Sequence, residues 1–110
     1  MNPLKNDELK WIGVDLDDTL ATNTGFPDFN LKDPLEGSKE AMDELVSQGW
    51  KVVIYTARPW SVYNLIEHWL VTHEIPFKHI VCGKMLLRWM VDDRNIEFRG
   101  NWKDVLEKIR

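Results

Sequence analysis

The sequence predicts an α/β protein with a central parallel sheet and helices on both faces of the sheet, a three-layer α/β/α arrangement. Two observations predict this fold class. Short apolar runs rich in β-branched residues alternate with segments whose apolar residues recur three and four positions apart. Such alternation favours right-handed crossovers between parallel strands. Polar residues also stand where the apolar runs stop, which is where ligands bind in open α/β sheets.

The first strand is expected at Trp11 to Val14, a short apolar run that ends at Asp15. The preceding residues, 1–10, are mostly polar and are expected to be irregular. Residues 21–34 contain Asn, Thr, Gly, Pro and Asp, which are common in turns, and therefore predict a loop.

A helix and a second strand are expected next. The helix begins at Pro34 or Ser38 and runs to about Gln48, because its apolar residues fall on one face. Gly49 is the residue type with which helices commonly end. Residues 50–55 include a continuous apolar run and fit a parallel strand that is covered on both faces.

A second helix and a third strand follow in the same order. Residues 56–59 are expected to form a turn, and Ser61 is a candidate cap for a helix that runs to about His73. Pro76 closes this unit, and residues 79–82 predict a short strand.

The last elements are a fourth strand and a final helix. The strand is expected at residues 88–91, which precede two acids, and the helix at residues 102–110, with Asn101 as its candidate cap. The sequence shows no repeat, low-complexity tract or linker. Residues 1–110 are therefore expected to form a single domain.

Composition and charge argue against several classes of protein. The chain of 110 residues is 44% hydrophobic, which fits a folded globular domain and not a disordered one. No apolar run approaches the roughly 20 residues of a membrane span. The single Cys82 predicts no internal disulfide, so a cytoplasmic location is expected. The net charge of −4 disfavours nonspecific binding to nucleic acid but allows a small anionic ligand.

Asp15 and Asp17 are the candidate catalytic carboxylates. They follow the first strand two residues apart, and an extended backbone would place both side chains on one side. Asp15 could attack phosphorus as a nucleophile and form an aspartyl-phosphate. Asp17 could give a proton to the leaving alkoxide and later take one from the attacking water.

Thr56, Arg58 and Lys84 are the candidate substrate-binding residues, and Thr56 and Lys84 are also candidate catalytic residues. Thr56 would offer its hydroxyl to a phosphate oxygen, and Lys84 would place a positive charge beside the phosphoryl group and Asp15. Arg58 could either clamp a substrate anion or form a salt bridge.

Mg²⁺ is the expected cofactor. The candidate ligands are Asp15, Asp17, Asp92 and Asp93, because hard cations prefer carboxylate oxygens and the carboxyl ends of parallel strands share one edge of a sheet. The adjacent positions of Asp92 and Asp93 leave open which of the two binds the metal. The cation would offset the like charges and stabilise the transition state of phosphoryl transfer.

The order of these residues resembles the motifs of the haloacid dehalogenase-like phosphatases. The run Asp-Leu-Asp-Asp-Thr-Leu that begins at Asp15 resembles the first motif of that family. Thr56 stands where the second motif has Thr or Ser, Lys84 matches the third motif, and Asp92-Asp93 matches the fourth. The resemblance covers nearly the whole chain and is strongest to small members without a cap domain, including phage-encoded ones.

The resemblance implies a Rossmann-like fold, Mg²⁺ dependence and hydrolysis of phosphomonoesters through an aspartyl-phosphate. The expected substrate is a small phosphorylated metabolite, either a sugar phosphate or a nucleotide, and no membrane partner is expected. Because no cap domain is inserted, the site would be open. Residues 21–34 or a loop from a neighbouring copy in an oligomer could cover it.

Two other functions stay open from the sequence. The run Thr56-Ala57-Arg58 and the later Ile-Pro-Phe resemble, over a shorter stretch, the 3′-phosphatase domain of polynucleotide kinase-phosphatases, and an open site would admit a nucleic-acid end. A non-catalytic phosphoacceptor receiver module also uses Asp, Thr and Lys on a similar sheet. Its acceptor Asp would end a middle strand, where this sequence has Thr56.

Overall fold

Three parallel strands form one sheet in the structure, a computed structural model that describes residues 10–22 and 31–109. The strands lie in the order β1-β2-β3, and Ile54 of the central strand has Val14 on one side and Ile80 on the other. Their bounds are Trp11–Val14 for β1, Lys51–Tyr55 for β2 and His79–Val81 for β3. The predicted α/β class and its parallel sheet are confirmed for these strands.

Three helices accompany the sheet. They are α1 (Ser38–Ser47), α2 (Tyr63–Thr72) and α3 (Trp102–Ile109), and a 3₁₀ turn (Trp60–Val62) leads into α2. The first two helices connect consecutive strands, and α1 packs against both β2 and α3. The described residues contain no cap domain. Within the same residues, none of the helices is long and apolar enough to cross a membrane.

The core lies between the sheet and the buried faces of the helices. Alternate residues of β2, Val52 and Ile54, are buried, whereas Lys51 and Tyr55 are exposed. The prediction that both faces of this strand are covered is therefore wrong for the described residues, because only one face packs fully against the core. The fully buried large side chains come from the strands, from α1 and α2, and from the loop after β1: Leu16, Leu20, Met42, Leu45, Ile54, Ile66 and Leu70. The loop after β1 is therefore anchored in the core.

Gly49 ends α1 as predicted, with a φ angle of +92°. The amide of Gly49 donates to the carbonyl of Val46, at 3.0 Å, and the amide of Trp50 donates to the carbonyl of Leu45, also at 3.0 Å. This pair of bonds is the Schellman motif, which satisfies carbonyls that the helix itself leaves unpaired.

The same motif ends α2, with a residue that sequence reasoning does not expect there. Glu74 has a φ angle of +56°, its amide donates to the Val71 carbonyl at 3.1 Å, and the Ile75 amide donates to the Leu70 carbonyl at 2.9 Å. Ile75 and Leu70 are both buried, which supplies the apolar contact that accompanies the motif. A side chain at this backbone conformation is strained by roughly 1–2 kcal/mol.

Most predicted boundaries agree with the structure to within two residues, and the Asn101 cap is confirmed. Its Oδ1 accepts a hydrogen bond from the amide of Lys103 at 2.8 Å. The Ser61 cap is wrong, because the 3₁₀ turn places the start of α2 at Tyr63, and no side chain caps that end. The predictions for residues 1–9 and for 23–30 of the loop lie outside the described residues.

The predicted fourth strand at residues 88–91 is wrong for this chain. Residues 82–101 contain no helix or strand. The apolar pattern and the acids that follow it fit a strand, but a strand needs a partner within reach. A parallel connection takes a dozen or more residues, and the interval between β3 and residue 88 is shorter.

Replacing Glu74 by Gly should stabilise the protein. The change removes the strain of a non-glycine residue in the left-handed conformation. Part of that gain is lost because glycine has more conformational freedom in the unfolded chain, so we expect the free energy of unfolding to rise by about 0.5–1 kcal/mol. Urea unfolding measures it. The matched control is Glu67→Gly, at an exposed position inside α2, which should lower stability by about 1 kcal/mol. A loss of stability in both variants would contradict the prediction.

Candidate functional site

The loops that follow the three strands meet at one edge of the sheet, because the strands are parallel. Asp15 and Asp17 follow β1, Thr56 and Arg58 follow β2, and Lys84 follows β3. These five are all the residues that the sequence predicts for catalysis and substrate binding. The structure brings them together.

The loop after β1 is a tight backbone turn around one carbonyl group. The Leu16 carbonyl accepts hydrogen bonds from the amides of Leu20 and Ala21, both at 2.9 Å, and from the amide of Thr19 at 3.3 Å. Asp18 takes a left-handed conformation within this turn, with a φ angle of +61°. Since Leu16 and Leu20 are fully buried, the turn is fixed on both sides of Asp17.

Two side chains from other elements hold the same loop from outside. The hydroxyl of Ser38, at the start of α1, donates to the Leu20 carbonyl at 3.1 Å. The indole N–H of Trp102, at the start of α3, donates to the Thr19 carbonyl at 3.0 Å. Both side chains are nearly or fully buried. They satisfy carbonyls that would otherwise be costly to bury.

The loops after β2 and β3 are joined by backbone hydrogen bonds. The Lys84 amide donates to the Thr56 carbonyl at 2.9 Å, and the Gly83 amide donates to the Arg58 carbonyl at 2.8 Å. Gly83 has a φ angle of +77°, and a Cβ at this position would lie 3.5 Å from Nε1 of Trp60. Glycine is therefore favoured by conformation, and these bonds fix where Lys84 leaves the sheet.

Arg58 connects all three loops. Its guanidinium makes a two-pronged contact with Asp17, with Nε at 2.9 Å from Oδ2 and Nη2 at 2.8 Å from Oδ1. Its amide donates to the Thr56 hydroxyl oxygen at 3.1 Å, and its carbonyl accepts from Gly83. The side chains of Arg58 and Asp17 are only 10% and 27% exposed, so this pair is shielded from solvent. Of the two roles that the sequence left open for Arg58, the structure shows the salt bridge.

Asp15 and Lys84 form the second ion pair of the site. Lys84 Nζ lies 3.3 Å from Asp15 Oδ1, and the Leu16 amide donates to the same oxygen at 2.8 Å. The ammonium group also lies 5.3 Å from the centre of the Tyr55 ring. The side chain of Asp15 is 41% exposed, so the carboxylate is held in place but remains accessible from solvent.

The predicted cluster of four carboxylates is not assembled in the structure. In residues 10–22 and 31–109, no three His, Cys, Asp or Glu side chains are grouped so that they could hold a metal ion. Asp92 accepts a hydrogen bond from the Arg94 amide at 3.0 Å, and Asp93 lies 3.8 Å from Arg94 Nε. The cause is the missing fourth strand, because nothing in the chain's own sheet carries these acids to the edge where Asp15 lies.

Thr56 and Cys82 are both buried near this edge. The Thr56 hydroxyl oxygen is already engaged by the Arg58 amide, so a phosphate oxygen would meet the hydroxyl as a donor. Burial raises the pKa of the Cys82 thiol, which keeps it protonated at neutral pH. Cys82 is therefore a core residue and not an activated nucleophile.

Comparison with known proteins supports the fold. No protein-family profile matches the chain, and no curated protein matches it. Among solved structures, a crystal structure of a structural-genomics target from Vibrio cholerae matches with a TM-score of 0.64 and 24% sequence identity. The match covers 91% of this chain and 98% of the other. At this level of identity the two proteins are shown to share a fold and nothing more.

Replacing Trp102 by Phe should destabilise the protein, because the Thr19 carbonyl loses its indole partner. We expect a loss of about 1–3 kcal/mol in the free energy of unfolding, because the smaller ring fills less of the core and the Thr19 carbonyl keeps only the long contact of 3.5 Å from the Ser38 hydroxyl. Urea unfolding measures the change. The control is Trp60→Phe, since Trp60 is 58% exposed and has no core to leave empty. Equal effects in the two variants would contradict the assigned role of Trp102.

Proposed function

We propose that this protein is a Mg²⁺-dependent phosphatase that hydrolyses the phosphomonoester of a small phosphorylated metabolite, such as a sugar phosphate or a nucleotide. One observation carries the proposal: a partly exposed carboxylate, Asp15, is held beside Lys84 at the carboxyl edge of a parallel sheet, two residues from a second fixed carboxylate, Asp17. That arrangement suits a carboxylate nucleophile and a separate proton carrier. The resemblance of the motifs to haloacid dehalogenase-like phosphatases points the same way.

Asp15 would act first. With Oδ1 engaged by Lys84 and the Leu16 amide, Oδ2 is the oxygen that attacks phosphorus. The bond from phosphorus to the ester oxygen breaks, and Asp17, which would enter this step in its protonated form, gives its proton to the leaving alkoxide. Asp17 then takes a proton from water, the water oxygen attacks phosphorus, and the bond to Asp15 breaks. Inorganic phosphate leaves and both acids return to their starting states.

Lys84 and Thr56 would bind the phosphoryl group. The Lys84–Asp15 pair has a single contact of 3.3 Å, whereas the Arg58–Asp17 pair has two shorter ones. The Lys84 ammonium can therefore contact Asp15 and a phosphate oxygen at the same time. The Thr56 hydroxyl would donate to a second oxygen, and because Thr56 is fully buried the loop after β2 must open for this contact. The role of Arg58 is positional, because its fork orients Asp17 for both proton transfers.

The donor set at this edge fits Mg²⁺. That ion is commonly bound through one or two carboxylates together with waters and substrate phosphate oxygens. Asp15 would supply one such carboxylate. Both carboxylate oxygens of Asp17 are engaged by Arg58, so the backbone carbonyl of Asp17 would be its donor, and Asp92 and Asp93 remain predicted further ligands. When bound, the ion supplies charge compensation for the acids and for the transferring phosphoryl group.

The finer fold is part of the same proposal. We infer that the complete active protein has the three-layer, Rossmann-like arrangement that the alternation of strands and helices predicts. The parallel order β1-β2-β3, with α1 and α2 as connections, supports it. A sheet of this kind binds ligands beyond the carboxyl ends of its strands, where these acids lie.

A nucleic-acid 3′-end phosphatase is the second candidate. Trp60 is 58% exposed beside the site, next to Gly83, and exposed aromatic rings stack on bases. Turnover of oligonucleotide 3′-phosphates in preference to sugar phosphates and nucleotides would favour this candidate.

Asp15→Asn should remove turnover across a panel of sugar phosphates, nucleotides and oligonucleotide 3′-phosphates assayed with Mg²⁺. The amide is a poor nucleophile, so we expect a loss of roughly 10³-fold or more in kcat. Phosphate release measures it. Asp43→Asn is the control, because Asp43 pairs with Lys39 on the exposed face of α1. Substantial activity in the Asp15 variant would exclude Asp15 as nucleophile.

Chelation should silence the enzyme reversibly. We expect EDTA to abolish phosphate release and added Mg²⁺ to restore it, because the like charges around the phosphoryl group would otherwise be uncompensated. Circular dichroism in the presence of EDTA tests whether the fold persists. Undiminished phosphate release in excess chelator would refute the metal dependence.

A further inference from the structure

The segment of residues 85–91 exposes more apolar surface than any other described part of the chain. Six large side chains in this run are between 57% and 101% exposed: Met85, Leu86, Leu87, Trp89, Met90 and Val91. Soluble proteins rarely leave a contiguous patch of this kind uncovered. The run has the composition of a strand, and the structure gives it no partner within the described residues.

The chain cannot place this segment in its own sheet as a parallel strand. The amide of Lys84 is bonded to the Thr56 carbonyl, so the segment starts beside the carboxyl end of β2. From the carboxyl end of β2, a new strand beside β1 lies two strand spacings across the sheet, about 10 Å. Its first residue must also lie about 10–13 Å back along the strand direction, at the amino-terminal edge of the sheet. The three residues between Lys84 and Arg88 reach at most about 14 Å, and a straight path would pass through the sheet.

The outer edge of β1 can pair with residues 88–91 as a neighbouring strand. In the sheet of the described residues β1 pairs with β2 alone, so no residue of 10–22 or 31–109 pairs with its other edge as a strand. β1 has four residues that end in Val14 and are followed by Asp15, and residues 88–91 also number four and end in Val91, followed by Asp92. Parallel pairing in this register would put Asp92 beside Asp15.

The area available suits a stable dimer. Trp89 alone can bury roughly 150–250 Å². With its five aliphatic and thioether neighbours, the segment approaches the ~800 Å² per partner of a standard protein–protein interface. A reciprocal exchange buries the segment of each copy, so the total is doubled by two-fold symmetry.

We propose that two copies of this chain exchange residues 85–95, each adding residues 88–91 as a parallel strand to the outer edge of β1 in the partner. The exchange places Asp92 and Asp93 of one copy at the Asp15 site of the other, so each active site is built from two chains. This inference rests on the proposed function for what the acids do there, and on the geometry alone for the exchange.

The mass in solution is the first test. Light scattering should give twice the 13.0 kDa of one chain. Val91→Asp, at the end of the exchanged strand, should give monomers. Val71→Asp, on the exposed side of α2, should leave the dimer intact. A monomeric wild-type protein, or a Val91→Asp variant that stays dimeric, would overturn the exchange whether or not the protein is a phosphatase.

Mixing inactive variants tests the shared site. Asp15→Asn in one chain and the double change Asp92→Asn with Asp93→Asn in the other each leave every site of their own homodimer incomplete. After co-refolding, the mixed dimer holds one site with all its acids, so we expect activity to return. Activity in the wild type without recovery in the mixture would overturn the exchange and leave the phosphatase proposal standing.

Cross-linking decides the exchange if no substrate in the panel is turned over. In a Cys82→Ala background, a chain with Trp11→Cys is co-refolded with a chain with Met90→Cys, and a short bismaleimide is added. In the proposed register residues 11 and 90 lie on the same face of adjacent strands, so we expect a covalent pair joined between residues 11 and 90 of different chains. A chain with Val71→Cys in place of Met90→Cys is the control. Equal yields from the two mixtures would overturn the proposal.

Discussion

The two-pronged contact between Arg58 and Asp17 is the interaction on which the site depends, because Arg58 also touches the loops after the other two strands. Its side chain fixes the loop after β1, its amide engages Thr56, and its carbonyl accepts the Gly83 amide. A strand end alone leaves the direction of the following loop open. Here one residue sets three loop directions at once, and the positions of Asp15 and Lys84 follow from them.

The charges at this edge are balanced in pairs, and the two pairs differ in kind. The Arg58–Asp17 pair is bidentate and mostly shielded, so breaking it would leave a charge poorly solvated. The Lys84–Asp15 pair is a single longer contact with more solvent access. In the proposed reaction, a phosphate dianion that arrives from solvent would recruit Lys84 at little cost. Arg58 would stay with Asp17, so the proposal gives Arg58 a positioning role and not substrate capture.

Local patterns were enough to predict the elements that carry their own signal. Residues adjacent in the sequence determine the strand at Trp11–Val14, the helix end at Gly49 and the cap at Asn101. The bond from Trp102 to the Thr19 carbonyl joins residues 83 positions apart, and no local pattern predicts it. The gathering of Asp15, Asp17, Thr56, Arg58 and Lys84 was predictable from topology, since parallel strands bring their carboxyl ends together.

The error at residues 88–91 has a physical lesson about what an apolar pattern means. The pattern indicates that these side chains are buried and that their backbone suits a strand, but it does not indicate whether the strand joins the sheet of its own chain or that of a partner. The length of the connection decides between the two, because three residues cannot return a strand to the far edge of the sheet. An exposed strand edge and an exposed apolar segment are each a liability for aggregation. In one chain they cannot meet, whereas in a symmetric pair each satisfies the other, and the second pair of acids arrives with the strand.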